Sequence, residues 1–235
     1  MKIEIWSDIA CPWCAIGKRR FDKALAQFAH RDEVEVVWRS FELDPDAPRE
    51  QTGDRVDHLA AKYGISRAQA EGMHRHMTET AAADGLEFHF ERARDGSTFD
   101  AHRLIHLAGQ RGIADAVKER LFEAYLGEGQ LVADHATLVR LGAEAGLDAD
   151  DVRHVLASDR FAKEVRAEER EARALGINSV PFFVIDRTYG VSGAQPSETL
   201  FEALNTAWAK SHPLEVLTPA GRDAGETCAD GSCAI

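Results

Sequence analysis

Two cysteines spaced two residues apart, Cys11-Pro12-Trp13-Cys14, carry the most reactive spacing in this 235-residue chain. Such a pair can close into a disulfide and reopen, or it can supply half of a zinc site. The flanking residues favour the first. Lys2-Ile3-Glu4-Ile5-Trp6 alternates polar and apolar residues, as a short strand does. After Cys14, Ile16, Arg20, Phe21, Ala24, Leu25 and Phe28 recur at helical spacing. The pair therefore stands where a strand turns into a helix, and strand–CPxC–helix is redox architecture rather than a zinc knuckle. Unpaired N–H groups and the positive end of the helix dipole stabilise a thiolate at that place, so Cys11 is the expected nucleophile. Cys14, one turn further in, is placed to attack a mixed disulfide and release the partner. Pro12 suits the helix start, because its missing N–H costs nothing there.

A second pair, Cys228 and Cys233, encloses the turn former Asp230-Gly231 near the end of the chain, so its sulfurs can meet in a small ring. The stretch from Pro213 to Cys228 spans ~50 Å when extended, enough to reach Cys11 from most anchor points. One reading is a relay in which this pair exchanges with Cys11–Cys14. The plainer readings are a tail tied into a local loop, exposed thiols without a task, or a four-cysteine zinc module. Asp8 and Lys18 flank the first pair; each reads as a solvated surface charge that tunes Cys11 at most. His102 and His106 stand at i, i+4, yet no acidic neighbour completes a hydrolytic HExxH set. His74 and His76, two apart, do not share a helix face. No metal site is expected from the histidines. No Gly-rich phosphate loop and no Ser/His/Asp set occurs.

The elements that must hold these residues follow from pattern and composition. A chain that is 44% hydrophobic and 29% charged is an ordinary globular one, with ample length for a real core. The formal net charge of −12 argues against nucleic-acid and anionic-membrane binding. No apolar run of transmembrane length occurs, and no signal-peptide pattern opens the chain, so a cytoplasmic location is expected. There a lasting structural disulfide is disfavoured and a CxxC is more naturally catalytic. Val34 to Leu43 reads as a second strand, closed by Pro45 and Pro48. Two strands joined through a helix favour a parallel pair. Helical periodicity then dominates: Val56–Tyr63, Arg67–Ala83 behind Ser66, Phe99–Arg111, Ala114–Leu126, Ala136–Ala145 behind Asp134, Ala149–Leu156 behind Asp148, and Asp159–Leu175 before Gly176. Leu86 to Phe90 alternates and reads as extended. The charge-dense run from Arg160 to Arg173 reads as a solvated face. Strand character returns at Val180–Asp186 and Tyr189–Gly193, joined antiparallel, before a closing helix with Pro196 at its first or second position and Leu200, Phe201, Leu204 and Trp208 as its inward stripe.

β–α–β, a helical block, then Pro-β–β–α is the order of an α/β thioredoxin fold with a large all-helical insertion. Cys11-Pro12-Trp13-Cys14 with Ile16-Gly17-Lys18-Arg19-Arg20 resembles the DsbA-like thioredoxin superfamily, in its FrnE branch. Trp38-Arg39-Ser40-Phe41-Glu42-Leu43-Asp44, Ala101-His102-Arg103-Leu104, Val180-Pro181-Phe182-Phe183-Val184 and Gly193-Ala194-Gln195-Pro196 carry the same resemblance, over residues 3 to 210. Gly96-Ser97-Thr98-Phe99 departs from relatives that have Asn before the Thr. The expected organisation is a discontinuous thioredoxin-like domain of residues 1–48 and 176–212, an inserted helical domain of 49–175, and a flexible tail of 213–235. The resemblance implies a cis Val180–Pro181 bond against the sulfurs, leaving the Val180 backbone free to pair with a substrate polypeptide. It also implies that His102 packs near the domain interface. Pro12 and Trp13 would set the redox poise within the roughly −270 to −120 mV spanned by this architecture. With neither an acid nor a histidine between the cysteines, a middling thiol is expected. A sister branch of glutathione-dependent isomerases and kappa-type transferases carries serine at the position of Cys11. The expected function is thiol–disulfide exchange with proteins or small thiols through Cys11 and Cys14. Pro181 would shape the groove, no bound cofactor would be needed, and glutathione or a thioredoxin-type reductant would be the co-substrate. The alternatives are a glutathione-dependent transferase or isomerase of small aromatic compounds, and the zinc module.

Overall fold

The computed structural model describes residues 1–213; Cys228, Cys233 and the expected tail beyond its first residue lie outside them. Nine α-helices and four strands occur among the described residues. The strands are β1 (Lys2–Ser7), β2 (Glu35–Ser40), β3 (Phe182–Ile185) and β4 (Tyr189–Ser192), in the sheet order β2-β1-β3-β4. β1 and β2 are parallel, joined through α1 (Pro12–Gln27), and the other two pairings are antiparallel. β3 returns into β4 through Asp186 and Arg187, whose backbones both take the left-handed region at φ 47° and 55°. This is the mixed α/β arrangement of a thioredoxin fold.

Between β2 and β3 run α2 (Arg55–Tyr63), α3 (Arg67–Ala83), α4 (Phe99–Gln110), α5 (Ala114–Phe122), α6 (His135–Glu144), α7 (Ala149–Leu156) and α8 (Ala162–Ala174); α9 (Ser197–Ser211) closes the described chain. Several starts follow from local chemistry. Asp54, Asp134 and Asp148 accept backbone N–H bonds at three helix N-termini, and Ser66 forms a full capping box with Gln69. Other boundaries differ from the periodicity. The helix expected to run to Leu126 changes at Glu123–Gly127 into a π turn. α8 begins at Ala162 rather than Asp159, because Phe161 sits at φ 65°. The carbonyl oxygens of Val155, Ser158 and Arg160 all accept from the buried Arg103, that of Val155 also from Ser158 N at 3.2 Å. Pro196 is the N-cap of α9 rather than its first or second residue. Leu86–Phe90 is not a strand: no sheet edge meets it, and its His89 N–H donates to Leu126 O at 2.7 Å.

Side-chain alternation puts Ile3 and Ile5 on one face of the sheet and Glu4 and Trp6 on the other. The first face packs on α1, with Phe21 and Phe183 ring centroids 5.5 Å apart. The second face is also covered, by α8. Trp6 Nε1 donates to the Glu168 carbonyl at 3.1 Å, and Arg39 reaches Glu4 and Glu168, each at 2.8 Å. Arg187 closes the set on Glu4 at 2.6 Å. Glu4 is only 1% exposed. The expectation that the charged run of α8 is a solvated face is therefore corrected: Glu168 and Glu169 are buried. Glu168 accepts from Ser40 N and His106 besides Arg39, and although burial opposes its charge, these donors hold its pKa at about 2.

Candidate active site around Cys11 and Cys14

β1 ends at Ser7, and the chain turns through Asp8 to Ala10 into α1. Cys11 is the N-cap, with extended backbone at φ −91° and ψ 111°, and Pro12 occupies the first helical position. The Cys11 thiol donates to the Val180 carbonyl oxygen at 3.6 Å, and Cys14 N donates to Cys11 O at 3.0 Å. Both cysteines are free and buried, Cys14 almost completely, while Trp13 stands exposed beside them. Burial foremost, and then the neighbouring Cys11, push the Cys14 thiol well up; the charge of Lys118 pulls the other way.

The Val180–Pro181 peptide bond is cis. Pro181 is buried, and its carbonyl accepts from Gly193 N at 2.8 Å. A Cβ at Gly17 would stand 2.7 Å from Pro181 Cγ, so glycine is what lets α1 approach this loop. Arg20 adds a bond to Ala194 O at 2.6 Å. Gly17→Ala is therefore expected to destabilise the protein by about 1–3 kcal/mol, although alanine is the better helix former. Chemical denaturation would show it; unchanged or raised stability would mean that the contact yields freely.

The expectation that Asp8 and Lys18 are surface charges is corrected. Asp8 is 1% exposed. One oxygen takes the Leu43 amide at 2.8 Å, and the other takes Ala10 N and His102 Nε2, each at 3.4 Å. Burial works against its charge, yet the His102 and Leu43 bonds, with one from Thr98, keep its carboxyl below the usual range. Burial depresses His102, which is then a neutral N–H donor to Asp8. Lys18 is equally enclosed and pairs with Asp22, Asp115 and Glu119 at 2.9, 3.1 and 3.0 Å, a strut between α1 and α5. His106 faces Glu168 at 3.1 Å, so the two histidines of α4 serve different carboxylates. Among the described residues no group of three or more His, Cys, Asp or Glu side chains is placed to hold a metal ion. At the departing motif, Ser97 Oγ accepts from Phe99 N at 3.3 Å.

Lys118 of α5 has no counterpart in the sequence reading. It is fully buried, its Nζ 3.4 Å from Ser7 O, with the Trp38 and Phe122 rings at 5.5 and 5.1 Å. Burial lowers its pKa to about 8, against the opposing pull of Cys14, Asp8 and Cys11. A signal existed: Lys118 falls on the same helical stripe as Ala114, Val117, Leu121 and Phe122.

Cys11, Pro12 and Trp13 line a cavity of about 390 Å³, which reaches Arg55, Leu59 and Tyr63 of α2 and Met73 and Met77 of α3. The π turn brings Tyr125 to its wall, where the hydroxyl and Asp95 both bond Arg55.

The profile of the DSBA-like thioredoxin domain matches residues 2–205. The chain is 27% identical over 205 residues to the uncharacterized protein YwbO of Bacillus subtilis, covering 86% of this chain and 95% of that one. Among solved structures it is similar to the probable DsbA oxidoreductase SCO1869 of Streptomyces coelicolor, with 49% identity, a TM-score of 0.86, and 100% and 99% of the two chains covered. The cytosolic disulfide reductase DsbM of Pseudomonas aeruginosa, solved with GSH, shares the fold at 17% identity and a TM-score of 0.64, over 88% of this chain and 99% of that one.

Proposed function

The chain belongs to the DSBA-like thioredoxin family, and from that premise we propose that it exchanges disulfides through Cys11 and Cys14. The observation that supports this most is the N-cap position of Cys11, 3.6 Å from the carbonyl before a cis proline. Cys11 attacks a substrate disulfide as the thiolate; its sulfur bonds one half, and the other half leaves as a thiolate that takes up a proton. Cys14 then attacks Cys11 Sγ, and the second half leaves in the same way. The pair ends as a disulfide, and two electrons have passed to the substrate. Read backwards, the same steps oxidise a dithiol. Lys118, whose charge pulls the Cys14 thiol down against burial, would ease the deprotonation that Cys14 needs before its attack. Val180 and Pro181 form the edge on which a polypeptide substrate would lie. We place the protein in the cytoplasm; no helix among the described residues is long and apolar enough to cross a membrane. A small-thiol or thioredoxin-type reductant would reset the pair, and Cys228 and Cys233 would relay electrons between it and Cys11–Cys14.

A glutathione redox titration with alkylation and mass mapping of every cysteine tests this. Cys11 and Cys14 should titrate together as a two-electron couple, whose midpoint gives the favoured direction. The exchange reading fails if they never pair. The relay part fails separately if Cys228→Ser with Cys233→Ser leaves the occupancy of the first pair and turnover unchanged.

A further inference from the structure

The exchange chemistry uses one wall of the cavity at Cys11 and leaves the others without a task. Five large apolar side chains are exposed among the described residues, Trp13, Leu43, Tyr63, Met73 and Leu175. The first four all line this one cavity. Scattered exposed apolar residues need no explanation, but four around one opening beside a nucleophile mark a place where an apolar body is received. Its volume of about 390 Å³ suits one small molecule.

The polar contribution comes from Arg55. Its guanidinium bonds Asp95 and the Tyr125 hydroxyl through Nη1 and lies over the Phe90 and Tyr125 rings at 5.4 and 5.6 Å. These contacts fix the group. Its Nε and Nη2 have no protein partner among the described residues, and the side chain keeps 19% of its surface exposed in a cavity it lines. A held guanidinium with an unused donor edge is the recognition element for a carboxylate. Lys62, His58 and His74 share the cavity with it, against Asp44 at its wall and Asp8 and Asp95, which are already bonded. In a chain of net charge −12 the long-range field repels anions, so an anion would bind here only through such local donors.

We infer that this cavity binds the organic part of a small disulfide or thiol with an apolar body, and that Arg55 takes its carboxylate. The inference rests on the exchange reading and names its substrate class. For a disulfide RSSR the steps balance as above: Cys11 Sγ bonds one sulfur and RS⁻ leaves, then Cys14 Sγ displaces the second RS⁻. The two thiol protons go to the two leaving groups, so the cysteines lose two electrons and two RSH form.

The test uses two aryl disulfides on the reduced full-length protein below saturation. Dithiobis(nitrobenzoate) carries a carboxylate on each ring; dithiodipyridine carries none. Arg55→Met should slow the first by ~10–100-fold, the range of a charge-assisted hydrogen bond, and leave the second unchanged. Arg55→Lys, which keeps the charge and loses the fork, should fall between. Equal slowing of both probes, or of neither, overturns the inference. A measurement on the unaltered protein guards against misfolded variants. Phenylpropionate should protect Cys11 from iodoacetamide and phenylpropanamide should not; equal protection, or none, overturns the inference. If neither disulfide oxidises Cys11–Cys14 in the unaltered protein, the exchange reading falls and takes this inference with it. If both do and Arg55 does not discriminate, only the inference falls.

Discussion

Cys14→Ser will hold the protein as a mixed disulfide with its substrate, and Cys11→Ser will lower turnover at least ~10³-fold. The difference follows from where the two sulfurs sit. Cys11 ends the loop, faces the Val180 carbonyl and lines the cavity. Cys14 is 1% exposed with its thiol pushed up by burial, so it cannot open an attack on a substrate. It meets only the sulfur that Cys11 has already bonded. Without it the adduct has no exit, and mass analysis under non-reducing conditions would find substrate on Cys11. Full turnover in Cys14→Ser with added glutathione would reject the dithiol mechanism, since it is what a glutathione-dependent transferase predicts.

Lys118→Met will slow the resolving step and stabilise the fold at once. In the unaltered protein Lys118 titrates at about 8, so release of the mixed disulfide should quicken as pH rises through that value and a neutral amine becomes available. The variant should lose this inflection and run ~10²-fold slower at pH 8, in stopped-flow release of a chromophoric thiol. The stability effect has the opposite sign. The folded pKa lies below the ordinary lysine value of 10.5, so between about 8 and 10.5 the unfolded chain binds more protons, and stability rises with pH there. Below that window the buried charge is a full cost. Removing it should raise unfolding free energy at pH 7 by up to about 3 kcal/mol, with the gain fading toward pH 10.5. A less stable variant with an unchanged pH profile would make Lys118 an ordinary structural residue.

Local signals made much of this molecule readable. The alternating residues before Cys11, the helical spacing after it and the proline-led strands at its far end state the order of elements, and Ser66, Asp134 and Asp148 mark helix starts through their own side chains. What stayed hidden is the charge inside. Glu4 alternates with isoleucines as a solvent-facing residue would, and Glu168 sits in a run rich in arginine and glutamate. Each is buried because its partners come from other elements, Arg39 and Arg187 for Glu4, and Arg39, Ser40 and His106 for Glu168. No window of neighbouring residues contains that information. Asp8 is the same case, held by Leu43 and His102. The left-handed Phe161 and the π turn at Glu123–Gly127 are likewise consequences of packing around Arg103 and Tyr125, and helical periodicity is blind to both.

The charges gathered between the sheet and α8 also bear on how this protein could be trimmed or recombined. A minimal version made by excising the helices between β2 and β3 would remove Glu168 and Glu171 while leaving Arg39, Arg187 and Glu4 behind. It would also strip the cover from Trp6 and leave Asp8 without the hydrogen bond from His102. The remnant would carry ionic groups fitted to a surface that is no longer there, beside a tryptophan newly exposed to water. Grafting helices from a relative onto this sheet would meet the same obstacle unless the charge pattern travelled with them. The helical segment and the sheet are thus a matched pair by electrostatics as much as by shape, and designers should exchange them together.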